Sequence, residues 1–408
     1  MSENRAITVN LGCRLNASET EAMASLAEES GAAPIIVNTC AVTGEAVRQS
    51  RQAIRRAAKE NPGRPVVVTG CASELQPQAF EGMPEVARRI PNAKKLDPAA
   101  WTLPKTSIAR PRSLDVRAPL AVQNGCDHRC TFCIIPYGRG DARSLPIEDA
   151  CAQGQELAAR GAKEIVLTGV DLTSWGPDLG NGLSLGHLVE ALDKALPADV
   201  WIRLSSIDGA EIDDRLFRLM TEVERIAPYA HLSLQAGHDM ILKRMKRRHT
   251  RADAVELCAR LRGARPDMAF GADLIAGFPT ETEEMFEASL DLIADCGLSY
   301  VHVFPFSPRE GTPAARMPQL ERAVVKERAA RLRAAADDAL ATHLNARRGK
   351  QALVLIEEIK NGAPRGRLAD FTDVHFSPNA AIRPGDRVAA TLMAREGRHL
   401  RAVPSGQA

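Results

Sequence analysis

The sequence has no stretch of about 18 consecutive apolar residues, and its first residues, MSENRA, include no apolar segment of the kind that forms a secretory signal. Both observations argue against a membrane or secreted protein. The chain also has almost no net charge, with 53 Lys and Arg against 51 Asp and Glu, so total charge neither requires nor excludes a nucleic-acid partner. We therefore expect a cytoplasmic protein in a reducing compartment, where cysteine thiols serve metals rather than disulfides, and the chain has nine cysteines.

The length of 408 residues is too great for one ordinary hydrophobic core. The patterns along the chain predict three parts. These are an amino-terminal parallel α/β domain, a partial (β/α)6 barrel and a small carboxy-terminal β-barrel, at residues 1–108, 112–345 and 346–408. The connection near residues 91–117 is rich in Pro, Ala and basic residues, which is typical of a linker.

The densest group of metal-binding side chains is the run Gly-Cys-Asp-His-Arg-Cys-Thr-Phe-Cys at residues 125–133. Its thiols, Cys126, Cys130 and Cys133, favour a soft metal or an iron–sulfur cluster. A zinc knuckle with His128 as fourth ligand is the alternative, but no further ligand follows at zinc-ribbon spacing. A cubane held by three cysteines leaves one iron open, and the amino and carboxylate groups of S-adenosylmethionine can bind there. The spacing resembles the radical-SAM superfamily, which implies a [4Fe–4S] cluster, S-adenosylmethionine and an external electron donor.

A second group of cysteines is spread over the first domain. Each of three short apolar runs is followed within a few residues by a cysteine, and the pairs are 7–11 with Cys13, 35–37 with Cys40, and 66–68 with Cys71. The carboxyl ends of parallel strands meet at one edge of a sheet, so the fold is expected to bring these thiols together. The alternative is that the three are small buried apolar residues.

Helical patterns separate these runs, at residues 18–29 and 45–59. Ser18 is the predicted N-cap of the first helix, and Glu21 completes a capping box. The words at 38–43 and 69–72 resemble the amino-terminal domain of methylthiotransferases. That resemblance implies an auxiliary [4Fe–4S] cluster held by the three dispersed cysteines and involved in delivering sulfur from a donor.

The middle of the chain alternates strands and helices six times, as in a partial barrel. The predicted strands are 118–124, 164–168, 201–205, 231–234, 269–275 and 300–304. The predicted helices are 147–159, 185–195, 214–224, 252–261, 283–294 and 321–344. Core packing is the interpretation for three cysteines within helical patterns, Cys151, Cys258 and Cys296.

Short segments that contain polar residues follow several of these strands, and together they resemble the cofactor-binding turns of radical-SAM barrels. The resemblance implies contact with S-adenosylmethionine by Gly169, Asp171, Ser205, Gln235 and Asp273. For any one of them, an ordinary loop hydrogen bond is the alternative.

A basic run occupies residues 243–251, where six of nine side chains are Lys or Arg. It follows the fourth barrel strand, on the side where such barrels carry their chemistry, so contact with RNA phosphates is predicted. The candidate residues are Lys243, Arg244, Lys246, Arg247 and Arg248. A solvated helix face is the alternative.

The last part of the chain changes to short alternating strands, predicted at 353–359, 367–371, 387–393 and 399–403. Residues 347–408 contain eleven basic and six acidic side chains, and a small basic β-barrel is a frequent RNA-binding shape. The segment resembles the TRAM domain. Aromatic residues are few here, so phosphate contacts would dominate RNA binding. A purely structural module is the alternative.

The order of the three parts resembles radical-SAM methylthiotransferases over essentially the whole chain. Residues 125–140, 167–172 and 242–249 most resemble the branch that acts on threonylcarbamoyladenosine beside the tRNA anticodon. The branches acting on isopentenyladenosine or on a ribosomal-protein aspartate are the alternatives, as is a non-catalytic iron–sulfur protein that binds RNA or senses redox state. A threonylcarbamoyl group ends in a carboxylate, which needs a partner when buried. The candidates for that contact are Arg139, Arg143, Arg203 and Arg248.

Overall fold

A computed structural model describes residues 5–107, 109 and 115–405 of the chain. In chain order the strands are β1 Ile7–Asn10, β2 Ile35–Thr39, β3 Val66–Gly70, β4 Val86–Arg89, β5 Arg117–Ala121, β6 Gln123–Asn124, β7 Arg143–Ser144, β8 Glu164–Thr168, β9 Trp201–Leu204, β10 Ser206–Ile207, β11 Tyr229–Gln235, β12 Ala269–Ala276, β13 Leu298–Pro305, β14 Gln351–Lys360, β15 Ala363–Arg367, β16 Asp373–His375, β17 Arg387–Glu396 and β18 His399–Pro404. The helices are α1 Arg14–Glu29, α2 Gly44–Glu60, α3 Cys71–Leu75, α4 Pro77–Glu81, α5 Ile135–Arg139, α6 Ile147–Ala159, α7 Leu185–Ala195, α8 Asp214–Glu222, α9 Asp239–Met245, α10 Arg251–Ala264, α11 Glu283–Asp295 and α12 Arg322–Arg347.

The chain forms two compact units. Unit 1 comprises Met1–Ser113, Gln123–Arg143 and Ser307–Arg316, and unit 2 comprises Leu114–Val122, Ser144–Phe306 and Met317–Ala408. The cysteine run at 125–133 therefore packs with the amino-terminal segment, although the sequence suggests that it belongs with the barrel. The predicted three-part division of the sequence stays a prediction.

Unit 1 contains a parallel sheet in the order β1-β2-β3-β4. Its two central strands, β2 and β3, are buried along their whole length, as expected for an α/β sheet covered on both faces. The first three strands confirm the prediction. The fourth, β4, was not predicted, because its four residues include two arginines and carry no apolar run.

Helix α1 corrects one sequence prediction. The helix begins at Arg14 with Cys13 at the N-cap, so Ser18 lies inside it and the predicted capping box is wrong. Its buried face includes the polar residues Asn16 and Glu19, so the first turn of the helix has no apolar periodicity by which it could be predicted. The helix thus begins directly at the first of the dispersed cysteines.

The barrel part of unit 2 contains two parallel sheets, β5-β8-β9 and β10-β11-β12-β13. Together with their helices they confirm the predicted partial α/β barrel. On β12, Phe270, Ala272 and Leu274 belong to one core with residues of helices α11 and α12. The alternate residues of β12 therefore lie on the sheet face that these helices leave uncovered. Cys258 and Cys296 are buried in this core and Cys151 packs against it, as expected from their helical patterns.

The carboxy-terminal residues close into a barrel in the order β14-β15-β16-β18-β17. The predicted strand at 367–371 is wrong, since β15 ends at Arg367 and Phe371 adopts a φ of 80°. The Phe371 ring stacks on Tyr229 of β11 with ring centroids 5.1 Å apart, so this segment contacts the larger barrel instead of continuing the ladder. In the described part of the chain, no helix combines the length and apolar content needed to cross a membrane.

Candidate functional site

The three dispersed cysteines lie at the ends of successive strands of unit 1. Cys13 caps α1 after β1, Cys40 follows β2 directly, and Cys71 is the first residue of α3 after β3. Burial raises the pKa of the Cys40 thiol, and the nearby thiols of Cys71 and Cys13 raise it further. The fold therefore brings together three thiols that are remote in sequence.

A glycine at the end of β3 and an asparagine side chain of α1 make this approach possible. Gly70 has a φ of 97°, and a Cβ there would lie 2.4 Å from the carbonyl oxygen of Thr39, so only glycine lets β3 end this close to β2. Asn16 Nδ2 donates to the carbonyl oxygens of Leu11 at 2.8 Å and of Thr39 at 3.2 Å. One side chain of α1 thus ties the loops that carry Cys13 and Cys40.

A buried charge network borders these cysteines. The Arg139 guanidinium donates to both carboxylate oxygens of Glu19, at 2.9 and 3.0 Å, and Lys95 Nζ lies 2.5 Å from the same carboxylate. Burial alone would raise the pKa of Glu19, but Lys95 and Arg139 more than offset it and hold the pKa below its ordinary value. Burial would lower the pKa of Arg139, yet Glu19 and then Cys71 raise it. Arg139 therefore lies close enough to Cys71 to interact with its charge.

The charges around this site fit an anionic group. Arg139 and Lys95 are two basic side chains that share one carboxylate, Glu19, so their positive charge is incompletely balanced. Arg309 lies close enough to Cys40 for a charge interaction, and its buried Nε has no hydrogen-bond partner among the described residues. Thiolate-held iron–sulfur clusters are anionic, and cations or donors beside them tune their potentials. The residues present therefore fit such a cluster.

The cysteine run forms a tight loop after β6. Gly125 has a φ of 76°, and a Cβ there would lie 1.8 Å from the Asp141 carbonyl oxygen, so glycine is required. The Cys126 amide donates to the carbonyl oxygen of Gly140 at 3.1 Å, and Arg129 reaches the Cys126 carbonyl at 2.6 Å. These contacts close the loop on itself.

The three thiols of this loop differ in exposure. Cys130 is buried, whereas Cys126 and Cys133 are partly exposed, and the Cys133 amide donates to the Cys130 carbonyl at 3.1 Å. Three thiols on one short loop suit an iron–sulfur cluster with an open iron.

The two groups of cysteines are joined within unit 1. Arg139 Nη1 donates to Asn124 Oδ1 at 2.9 Å, and the same side-chain oxygen accepts from the amide of Gly125 at 2.9 Å. The residue before the cysteine run is thus bonded to the guanidinium that borders Cys71. A Cβ at Gly138 would lie 3.5 Å from Cys71 Cβ, so the chain following the run also packs on the dispersed group.

Four of the five predicted cofactor residues lie at or just after the ends of strands in unit 2. Gly169 and Asp171 follow β8, and Asp171 accepts a hydrogen bond from Ser174 at 2.9 Å. Ser205 lies between β9 and β10, and its buried Oγ has no partner in the described chain. A buried hydroxyl without a partner is costly unless a ligand or water binds it, which is consistent with a cofactor contact. Gln235 ends β11 with a φ of 70°, a strained backbone that is frequent at functional sites.

Asp273 lies within β12 rather than in a loop. Its Oδ1 is 2.9 Å from His231 Nε2 on β11 and 3.1 Å from His302 Nδ1 on β13. Burial would raise the pKa of Asp273, but hydrogen bonds from the two imidazoles more than offset it and lower the pKa. Neither histidine was predicted from the sequence as a site residue. The sequence signal for them was the period-two polar pattern of Tyr229 with His231 and of Tyr300 with His302.

The predicted RNA-binding run divides into two kinds of side chain. Lys243, Lys246 and Arg248 are exposed. Arg247 is largely buried, donating to Asp208 at 2.9 Å and to the Ser233 carbonyl at 2.7 Å. The solvated-face alternative thus describes only part of the run. Arg244 is half-buried and donates to a backbone carbonyl.

Three of the four arginines considered for a substrate carboxylate are paired with protein acids. Arg139 binds Glu19, Arg203 binds Glu164 at 2.7 Å, and Arg248 binds Glu211 at 2.5 Å. The fourth, Arg143, is exposed and donates to backbone carbonyl oxygens.

Comparison with known proteins identifies two family regions. Residues 120–293 match the radical SAM superfamily, and residues 5–90 match a family described as uncharacterized protein family UPF0004. The chain is 47% identical over 365 residues to a threonylcarbamoyladenosine tRNA methylthiotransferase MtaB of Rickettsia prowazekii, covering 86% of this chain and 87% of that protein. It is 34% identical over 395 residues to the Bacillus subtilis protein of the same name, covering 89% and 87%.

A related enzyme class matches at lower identity. A tRNA-2-methylthio-N(6)-dimethylallyladenosine synthase of Erythrobacter litoralis is 32% identical over 424 residues, covering 94% of this chain and 93% of that protein. Among solved structures, the cobalamin-dependent S-adenosylmethionine radical enzyme OxsB superposes with a TM-score of 0.50 at 11% identity, covering 83% of this chain and 56% of that chain. That likeness shows a shared fold only.

Proposed function

The chain belongs to the radical-SAM methylthiotransferases, and we propose that it converts N6-threonylcarbamoyladenosine at position 37 of tRNA to its 2-methylthio derivative. The 47% identity to a relative named for this base carries the proposal, against 32% for the relative named for dimethylallyladenosine. As a tRNA methylthiotransferase of this superfamily, the protein uses S-adenosylmethionine and a [4Fe–4S] cluster.

We propose Cys126, Cys130 and Cys133 as the ligands of the radical cluster. Bound there, a [4Fe–4S] cluster supplies the electron that cleaves S-adenosylmethionine. Gly125 and Arg129 hold the loop so that the three thiols can share one cluster.

Further residues of unit 2 are proposed to bind the cofactor. Gly169, Asp171, Ser205 and Gln235 follow barrel strands, and the unpartnered Ser205 hydroxyl supports this assignment best. We propose Asp273, within β12, as a further residue of this cofactor site. A strand residue with two imidazole partners is less suited to contact the adenosyl group directly than the loop residues are.

We propose a second [4Fe–4S] cluster at Cys13, Cys40 and Cys71. The convergence of the three thiols and the basic side chains beside them support it. A donor that delivers sulfur to this site and an electron donor for the radical site are the proposed partners, and a cytoplasmic location stays a prediction.

For tRNA binding we propose the exposed cations of the basic run, Lys243, Lys246 and Arg248, with Arg244 at their border. Arg247 is largely buried and holds the run in place through its ion pair with Asp208. The carboxy-terminal barrel is proposed as a further RNA-binding module. Contacts of this kind bind the phosphate backbone and fix register without reading sequence.

The test offers anaerobically reconstituted enzyme two tRNAs, one with threonylcarbamoyladenosine and one with isopentenyladenosine beside the anticodon. We expect the methylthio product, measured by mass analysis of nucleosides, predominantly from the first. A comparable or greater rate on the second would refute the base assignment and favour the dimethylallyladenosine activity of the second group of relatives. Absence of 5′-deoxyadenosine under reduction would favour a non-catalytic iron–sulfur protein.

A further inference from the structure

The uncovered face of the barrel sheet in unit 2 carries a line of polar side chains. Gly271 pairs in register with His231 and Tyr300, and Asp273 pairs with His302. These positions alternate with Phe270, Ala272 and Leu274, which are buried against the outer helices. The histidines and Asp273 therefore lie on the inner face of this partial barrel, opposite the outer helices.

The side chains form a continuous hydrogen-bonded chain. The Tyr229 hydroxyl is 2.9 Å from His231 Nδ1, His231 Nε2 is 2.9 Å from Asp273 Oδ1, and the same oxygen is 3.1 Å from His302 Nδ1. A Cβ at Gly271 would lie 2.2 Å from the Tyr229 hydroxyl and 2.5 Å from His231 Nδ1. Because Gly271 has no side chain, there is room for the hydrogen bond between Tyr229 and His231.

The exposure of these hydrogen-bonded side chains increases from His231 to His302. The side chain of His231 is 7% exposed and that of Asp273 is 23% exposed, whereas that of His302 is 62% exposed. Because Nδ1 of His302 contacts the carboxylate, its Nε2 is the edge left for a ligand. A histidine that carries both ring protons donates from each nitrogen, so His302 can donate from Nδ1 to Asp273 and from Nε2 to a carboxylate of a ligand.

We infer that His302, oriented by Asp273, binds the carboxylate of the substrate base and selects threonylcarbamoyladenosine over bases with an apolar N6 group. This inference rests on the proposed function and names the group that provides its specificity. Three of the four arginines predicted for this contact, Arg139, Arg203 and Arg248, are already paired with Glu19, Glu164 and Glu211. The fourth, Arg143, belongs to unit 1 and donates to backbone carbonyl oxygens. A site built around a charged donor rejects substrates that lack its partner far more strongly than a size mismatch does.

The experiment compares two tRNA anticodon stem-loops, one with threonylcarbamoyladenosine and one with its neutral methyl ester. Each is given to the reconstituted holoenzyme as wild type, His302→Ala and His302→Arg. We expect the wild-type kcat/KM to fall about 10- to 100-fold from carboxylate to ester. His302→Ala should lose a similar factor on the carboxylate substrate and show little further loss on the ester. His302→Arg should restore preference for the carboxylate.

Matched controls separate specificity from folding. His187→Gln removes an imidazole from the amino-terminal turn of the outer helix α7 and should leave the substrate preference unchanged. Iron content and 5′-deoxyadenosine formed without tRNA should be the same in all variants.

Two results would overturn the inference while leaving the proposed function intact. One is His302→Ala retaining the wild-type preference for the carboxylate, and the other is an equal loss on both substrates. If the wild type does not act on threonylcarbamoyladenosine at all, the proposed function fails and the inference fails with it.

Discussion

The two groups of three cysteines lie in the same unit but are assembled in different ways. Cys126, Cys130 and Cys133 share one loop of eight residues, and local bonds such as that from Arg129 to the Cys126 carbonyl shape it. The dispersed group comes from three strand ends and depends on the packing of a whole sheet. A local motif tolerates change elsewhere in the fold, whereas a site built by topology depends on the contacts that hold the strands in place.

The surroundings of the two groups also differ. A buried network of Glu19, Lys95 and Arg139 borders the dispersed cysteines, and it includes a residue that follows the cysteine run in sequence. The loop has a more exposed ion pair, Arg129 with Asp141. Buried pairs are costly to break and exposed pairs contribute little, so the dispersed site should be more sensitive to its charged neighbours.

The largest effect is expected from the loop itself. Replacing any one of Cys126, Cys130 or Cys133 with Ala should reduce cleavage of S-adenosylmethionine to background, because the cluster would lose one of three ligands. The measurement is 5′-deoxyadenosine formed under anaerobic reduction. Cys151→Ala, in helix α6, is the control and should behave as wild type. Undiminished 5′-deoxyadenosine from a loop variant would contradict the assignment.

A more selective loss is expected from the dispersed group. The triple variant Cys13→Ala, Cys40→Ala, Cys71→Ala should lower iron from about eight to about four per chain, since each cubane holds four. It should still form 5′-deoxyadenosine but no methylthio product. Methylthio product from this variant, or a wild type holding one cluster only, would show that the two groups do not divide the work in this way.

The charged neighbours should show a smaller effect that distinguishes the sites. Arg139→Met leaves Glu19 paired with Lys95 but removes buried hydrogen bonds to Glu19 and Asn124, so it should destabilise the protein by about 1–3 kcal/mol, measured by chemical denaturation. It should also reduce iron bound at the dispersed group in a Cys126→Ala, Cys130→Ala, Cys133→Ala background. Arg143→Met, which removes an exposed cation, is the control. If the Arg139→Met variant still binds iron fully at the dispersed cysteines, the charged residues do not contribute to cluster binding.

In unit 2, Glu164 forms a similar buried ion-pair network with Arg203 and Arg117, and this network can be compared with the one around Glu19. Burial alone would raise the pKa of Glu164, but Arg203 and Arg117 more than offset it and hold the pKa at about 2. The unfolded chain therefore binds more protons as pH falls from about 4.5 to 2, and about 3 kcal/mol of stability is lost through that window.

Glu164→Gln removes this titration. The variant should be less stable at pH 7 and should lose less stability between pH 4.5 and 2, as measured by denaturation at each pH. Its iron content should equal that of wild type, because the described partners of Glu164 are Arg203 and Arg117 rather than cysteines. Glu190→Gln, which changes a partly exposed carboxylate of α7 paired with Lys194, is the control. Equal acid sensitivity of wild type and Glu164→Gln would argue against the low pKa.

Much of the fold was predictable because local patterns carried it. The strand at 164–168 and the helices at 147–159 and 185–195 match the structure residue for residue, since apolar periodicity and turn residues mark them. Residues with a role in long-range contact were mispredicted. Phe371 looked like part of a strand, but its ring is stacked on Tyr229 of a distant strand.

The sequence by itself determined that three thiols lie close together in the cysteine run, because they fall within eight residues whatever the rest of the chain does. It also determined the family, through words spread over the whole chain. Only the tertiary structure decided which charged groups remain open to a ligand. Arg203 and Arg248 are paired with acids from other elements, and His302 meets Asp273 only because β12 and β13 lie side by side. Ion pairing and burial depend on contacts between residues far apart in the chain, and no local pattern encodes them.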